Sequence, residues 1–175
     1  ELPVEAVGYD VSHRIVELAN SQPTPGVEFR LWDGQLPDTT FDVALVMDVV
    51  EHVPDYLGFL SDLKGLANQY VLHIPLDMNA QGVARQTPIM NARATVGHLH
   101  YFSRKTAIAS LEYAGYVVED WIFTPSWETL KGKGAGRRLF DVIRLGFFRR
   151  WPERTVDVLG GYSLLVLARE LNESS

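Results

Sequence analysis

The stretch VEFRLWDGQLPDTTFDVALVMDVVEHVPD, residues 27–55, decides how the whole chain is read. Val27 to Leu31 alternates apolar and polar residues, the period of a strand with one covered face. It stops at Trp32-Asp33-Gly34. Phe41 to Met47 is nearly all apolar, as a parallel strand covered on both faces requires. An acid follows each strand, Asp33 after the first and Asp48 after the second, and Glu51-His52 comes one turn later. Open α/β sheets bind ligands beyond the carboxyl ends of their strands, where these acids stand.

Working outward, the flanking segments repeat the pattern. Val4 to Tyr9 reads as a strand ending at Asp10. Ser12 is placed to cap a helix over His13 to Asn20, with Ile15, Val16, Leu18 and Ala19 on its apolar face. Downstream, Asp55 to Ala67 has helical spacing, and Tyr70 to Ile74 reads as a buried strand halted by Pro75. Leu76 to His100 shows little periodicity and is long for a connection, so a functional or partly helical segment is expected there. Ser103 caps a further helix that runs to Gly115, and Val117 to Phe123 is a strand. A basic stretch follows with helical spacing around Leu139, Phe140, Ile143 and Phe147, and Tyr162 to Ala168 is the last strand. This alternation predicts an α/β, doubly wound sheet, parallel in its early part because crossovers are right-handed.

Composition narrows the function. With 175 residues, 46% of them hydrophobic, the chain has the content of one globular domain over residues 1–175. Cysteine is absent, which excludes disulfides and thiolate metal sites. No apolar run reaches the length of a membrane span and no signal peptide is read, so a cytoplasmic protein without stable membrane insertion is expected. The net charge of −6 is unevenly spread. Residues 131–154 hold eight basic and two acidic side chains (+6), and the remainder holds eight basic and twenty acidic (−12). An acidic body is a poor general binder of nucleic acid, so none is expected as a partner. The basic stretch reads first as a solvated helix face; a lid for an acidic substrate and a membrane-surface helix are the other readings.

Taken in order, VGYDVSHRIVELA (7–19), the quoted stretch, and GHLHYFSRKTAIASLEYAGYVVEDW (97–121) resemble the class I S-adenosylmethionine-dependent methyltransferases that act on small molecules. The resemblance covers roughly residues 4 to 123 and the last strand. It implies a Rossmann-like sheet, mostly parallel, whose last strand runs antiparallel beside Val117 to Phe123. It also implies S-adenosylmethionine as cofactor, held by Asp10, Val11, Asp33, Gly34, Met47 and Asp48 along one cleft. Asp10 suits the ribose hydroxyls because a carboxylate accepts two hydrogen bonds from a cis-diol. Asp33 would accept from the adenine amino group beside Leu31, Trp32 or Leu36, and Asp48 would face the methionine ammonium. On the acceptor side the candidates are His52, His98 and His100, with His52 leading as base because its unperturbed pKa suits proton transfer. Residues 76–100 are expected to cover the acceptor, and 126–158 to form a basic helical insertion before the last strand.

Each of these residues also has a structural reading. Asp10 can be a turn or cap residue, Asp33-Gly34 a turn pair and Glu51-His52 a helix cap. His73, within an apolar strand, reads as a packed core histidine. His98 and His100 alternate, so an extended chain points them to opposite sides. Asp48, Glu51 and His52 form a D-x-x-E-H run that resembles the E-x-x-E-H of ubiquinone-pathway O-methyltransferases, where a divalent metal is implied. Such donors would suit Mg²⁺ or Mn²⁺, although no metal is the preferred reading.

The family pattern starts with a strand, a Gly-x-Gly loop and a helix, whereas this chain matches from the second strand onward. The first strand and helix are therefore expected to be missing, as in an N-terminally truncated domain, with Val4 to Tyr9 and Phe41 to Met47 flanking the gap. Such a fragment alone would be inactive. Circular permutation through Val156 to Gly161 is rejected because YSLLVLARE behind it reads as a strand, not the required helix. The expected function is methyl transfer to a small-molecule acceptor, at oxygen before nitrogen. A non-catalytic methyltransferase-like binding or scaffold module is the alternative. A nicotinamide oxidoreductase stands third, since no dinucleotide fingerprint is visible.

Overall fold

A computed structural model describes residues 4–35, 37–126 and 135–171. Leu36 and the lysines at 131 and 133 lie outside the described residues. The chain divides into two compact units, Glu1–Asp38 and Thr39–Ser175.

The first unit is a strand–helix–strand crossover. β1 (Ala6–Asp10) and β2 (Val27–Leu31) pair in parallel, with Ala6 opposite Val27 and Asp10 opposite Leu31. α1 (His13–Asn20) joins them. Its Ser12 cap accepts from the Ile15 amide at 3.4 Å, as its position ahead of the apolar spacing requires. The Asn20 side chain both donates to and accepts from the Phe29 backbone, tying the end of α1 to β2. Gly8 is needed in β1 because a Cβ there would meet the Phe29 ring at 2.7 Å.

The second unit carries a four-stranded sheet in the order β3-β4-β6-β5. β3 (Phe41–Met47) and β4 (Ala67–Pro75) are parallel. β6 (Tyr162–Glu170) lies between β4 and β5 (Tyr116–Pro125) and runs antiparallel to both. The antiparallel last strand beside β5 is thus present, and the fold is the expected Rossmann-like α/β architecture. Among the described residues β1 pairs only with β2, and β3 only with β4. The core of this unit sits on β4 and β6, where Tyr70, Leu72, Ile74, Leu164, Val166 and Ala168 are at most 1% exposed. The Tyr70 hydroxyl is bound by the Ala67 amide, the Leu63 carbonyl and Glu170. Burial and the Glu170 carboxylate push that phenol up to about 12.

One expectation changes. The helix read over Asp55 to Ala67 is shorter, α2 (Tyr56–Asp62). Asp55 caps it through the Gly58 amide at 2.9 Å, and Gly65, at φ 86°, turns the chain so that Ala67 already belongs to β4. The unpatterned stretch after β4 holds two short helices, α3 (Ala80–Arg85) and α4 (Thr87–Thr95). α5 (Arg104–Tyr113) has the Ser103 cap, here a capping box with Thr106, and ends before the left-handed Gly115. The basic segment forms α6 (Ala135–Arg150) and α7 (Pro152–Leu159). They are separated because proline supplies no amide hydrogen and favours a first helical turn. Among the described residues, no helix is long and apolar enough to cross a membrane.

Candidate active site

The first unit presents its acids at the carboxyl ends of a parallel pair. Asp10 closes β1, and its Oδ1 accepts from the Ser12 amide at 2.7 Å, while its carbonyl accepts from the Trp32 amide. The Tyr9 and Trp32 rings meet edge to face at 5.8 Å. Val11 is 77% exposed. Asp33 accepts from the Gln35 amide at 3.0 Å, and Gly34 has φ 91°. The turn geometry of both acids is therefore formed. Asp10 is a part-buried carboxylate at the end of a parallel strand, and one of its oxygens is already committed to the turn.

The second unit gathers more ionisable groups. β3 ends at Met47, half exposed, and Asp48 takes a left-handed turn at φ 52°, which a short polar side chain tolerates better than most. The Asp48 amide bonds the His73 carbonyl, and its carboxylate takes a hydrogen bond from His73 Nδ1 at 2.7 Å. His73 Nε2 accepts from the Thr124 hydroxyl at 2.8 Å. His73 is thus not a packed core histidine. It shares its side of β4 with Val71 and Pro75, which are only partly covered, whereas Tyr70, Leu72 and Ile74 fill the opposite, buried side.

One turn beyond Asp48, Glu51 is 1% exposed. Its carbonyl accepts from the Leu99 and His100 amides, which docks the segment after α4 against the end of β3. That contact delivers His98. His98 donates Nδ1–H to Asp77 at 2.6 Å and turns Nε2 toward Glu51 Oε1 at 3.9 Å. His52 donates Nδ1–H to the Gly97 carbonyl at 3.2 Å and turns its Nε2 to the same oxygen at 3.8 Å. The two rings lie edge to face, 5.0 Å apart. The alternation of His98 and His100 is resolved in the same way. His100 donates to the Val53 and Pro54 carbonyls and packs on Tyr56, away from the cluster.

Neither carboxylate oxygen of Glu51 has a hydrogen-bond partner of good geometry. Burial pushes its carboxyl up to about 7, and the nearby Asp48 and Asp77 charges add to the rise. Its own backbone amide and His98 offset only part of it. Both imidazoles thus turn Nε2 toward one buried carboxyl group, at 3.8 and 3.9 Å, beyond direct hydrogen-bond reach. A carboxyl raised to about 7 stands close to half-protonated near neutral pH, the state in which it can either give or take a proton.

The same donors are tested against a metal. Donor atoms of Glu51, His52 and His98 lie within 4.8 Å of one another, whereas Asp48 is committed to His73. Two imidazole nitrogens and a carboxylate, each ring held at Nδ1, are suitable in kind. Tetrahedral coordination at bonds of about 2.0 Å needs donors roughly 3.3 Å apart, so the 3.8 and 3.9 Å edges would have to contract. Sequence reading missed Asp77 and gave His73 the wrong surroundings. Asp77 has no local signal, since its partner lies 21 residues away.

Comparison with known proteins gives a family match over part of the chain and a likeness of fold. The methyltransferase-domain family model matches residues 1–69, a span that contains Asp10, Asp33, Asp48, Glu51 and His52. Among curated proteins, none matches this sequence. Solved structures do. A methyltransferase of Haloferax volcanii, determined in complex with a methyltransferase activator, is 14% identical at a TM-score of 0.66, covering 96% of this chain and 73% of that one. An S-adenosylmethionine-dependent methyltransferase from Methanosarcina mazei is 14% identical at 0.61, covering 97% and 92%. The [4+2]-cyclase SpnF is 18% identical at 0.60, covering 96% and 66%. At such identities the likeness speaks for the fold, and it agrees with the family match in sequence. This chain has the fold of the class I S-adenosylmethionine-dependent methyltransferases, and its first 69 residues carry their methyltransferase-domain signature.

Proposed function

We propose that this protein transfers a methyl group from S-adenosylmethionine to an oxygen of a small-molecule acceptor. The observation that carries the reading is the Glu51–His52–His98 cluster, of which Glu51 and His52 lie inside the span that matches the methyltransferase domain and His98 is brought to them from outside it. Fold alone would not carry it, because one similar structure is a cyclase.

S-adenosylmethionine, when bound, supplies a methyl group on positively charged sulfur. Asp10 and Val11 hold the ribose, and Asp33 and Gly34 the adenine. Met47 and Asp48 face the methionine end, with His73 fixing the Asp48 carboxylate. An acceptor oxygen would take that methyl carbon, and the electron pair of the carbon–sulfur bond would leave on sulfur. His52 takes the acceptor's proton at Nε2, the nitrogen left unprotonated by the bond from Nδ1 to Gly97. Glu51 and His98 share that proton, and Asp77 holds the His98 ring in the required tautomer. Alignment supplies much of the rate, and the α3–α4 segment serves as the cover that keeps the acceptor in place.

The test is calorimetry of the full-length protein with S-adenosylhomocysteine, paired with turnover measured on a panel of hydroxylated and amino acceptors. Binding with turnover on hydroxyl compounds is expected. Binding without turnover on any acceptor would favour the non-catalytic module, and absence of binding would sink the cofactor assignment.

A further inference from the structure

The basic segment has no part in the chemistry above, yet its exposed surface is unusual in composition. In α6 the side chains at 142, 143, 147 and 150 fall within about 140° of one another on a helix of 3.6 residues per turn. Val142 is 67% exposed, Ile143 46% and Phe147 49%. Trp151, just past the helix, is 45% exposed and stacks on Phe147 with ring centroids 6.3 Å apart. The Arg150 guanidinium lies 5.1 Å from the Trp151 ring centroid, and Arg149 and Arg154 are exposed beside them. The opposite side of α6 is the packed one: Arg144 is buried and Phe148 stacks on Tyr162 at 4.5 Å. α6 therefore has a covered face of its own, and the outer apolar face is additional to it.

Charge selects the occupant. Three exposed arginines, Arg149, Arg150 and Arg154, stand here against Glu153, and Glu153 is paired with Arg104 at 2.7 Å. The outer face thus joins two aromatic and two branched aliphatic side chains to an excess of exposed cations. An aqueous small molecule has no use for that combination, and an ordinary solvated face would not expose the rings. A bilayer surface with anionic headgroups matches both halves, since the rings enter the headgroup boundary while the arginine stems lie along it with their charges at the phosphates. The acidic remainder of the chain opposes approach to such a surface, so contact must be made through this segment.

We propose that the outer face of α6, with Trp151, docks this protein on anionic phospholipid surfaces. Val142, Ile143, Phe147 and Trp151 enter the headgroup region, and Arg149, Arg150 and Arg154 meet the phosphates. The contact is peripheral, consistent with the absence of a spanning helix among the described residues.

Co-sedimentation of the protein with vesicles tests this, comparing phosphatidylcholine alone with phosphatidylcholine mixed with phosphatidylglycerol, at low and high salt. Binding to the mixed vesicles that weakens with salt is expected. Each arginine removed should cost on the order of fivefold in partitioning, so Arg149→Gln with Arg150→Gln should cost tenfold or more. Phe147→Ser with Trp151→Ser should cost at least as much, and Lys105→Gln on α5 nothing. Circular dichroism and thermal midpoints confirm that the variants remain folded. Equal binding to neutral vesicles, no binding to either, or retention on RNA without vesicle binding would each overturn the proposal.

Discussion

Asp10 and Glu51 are both acids at or just past the carboxyl end of a parallel strand, and they have opposite surroundings. Asp10 is part-buried, and its own turn already satisfies one oxygen through the Ser12 amide. Glu51 is sealed from water with neither oxygen well bonded, next to two imidazoles. A part-solvated carboxylate stays ionised and recognises hydroxyls. A buried one approaches neutrality near pH 7 and exchanges protons. Under the proposed function this difference divides binding from chemistry: Asp10 would hold a ligand, and Glu51 would move a proton.

The division breaks first at His52. If the Glu51 end carries the chemistry, His52→Ala should lower turnover about 10²–10⁴-fold and leave affinity for S-adenosylhomocysteine nearly unchanged. Turnover kinetics and calorimetry on the same variant check this. Normal turnover with poor cofactor binding would move His52 into the binding half and erase the contrast.

Glu51 gives the next largest effect, and stability rather than activity reads it. Its carboxyl is raised in the folded protein from an ordinary 4.5 to about 7. Below 4.5 the group is protonated in both states and costs nothing. Between 4.5 and about 7 the unfolded chain releases the proton while the folded protein retains it, so stability falls as pH rises, and above 7 the loss is complete. The pH-dependent difference between Glu51→Gln and the parent should therefore grow in favour of the variant by on the order of 3 kcal/mol across that window. Denaturant unfolding at pH 4, 5.5 and 8 measures it. A flat difference would mean that the Glu51 carboxyl titrates alike in the folded and unfolded chain and is not held protonated toward neutral pH.

Much of this was legible in the sequence because it is local. The Ser12 and Ser103 caps, the apolar β3 and the left-handed stop at Gly115 depend on a few neighbouring residues. The acids at 10, 33 and 48 were found because strand ends can be read from pattern. That β6 runs antiparallel beside β5 came only from the family resemblance, and its place next to β4 as well was not read, since no local signal sets strand order. The Asp77–His98 and Asp48–His73 pairs were not found, as each joins groups more than 20 residues apart. Parity offered one missed clue: His73 is out of phase with Leu72 and Ile74, so it could not share their buried face.

Asp10→Ala sharpens the binding half. Removing a hydrogen bond to a charged group costs on the order of 1.5–3 kcal/mol, so cofactor affinity should fall about 10- to 150-fold while the pH profile of turnover keeps its shape. Calorimetry and a pH–rate series separate the two. A shifted profile would tie Asp10 to the proton-moving half, and unchanged affinity would leave it as a turn residue.

Asp33 should give the smallest effect, and it is where the turn and ligand readings compete most directly. Its Oδ1 already serves the Gln35 amide, so an adenine amino group would draw on the remaining acceptor capacity. That bond is between a charged acceptor and a neutral donor at an exposed turn, which places it at the lower end of the range, about 1 kcal/mol or fivefold in affinity. Asp33→Asn keeps a side-chain oxygen for the turn and weakens the acceptor for adenine. Its stability should therefore match the parent, while affinity for S-adenosylhomocysteine falls about fivefold. Adenosine binding should fall in parallel, because the lost contact is to the base. A variant that loses stability and keeps its affinity would show Asp33 to be a turn residue only, and the nucleoside would then be held at the Asp10 end by ribose contacts alone.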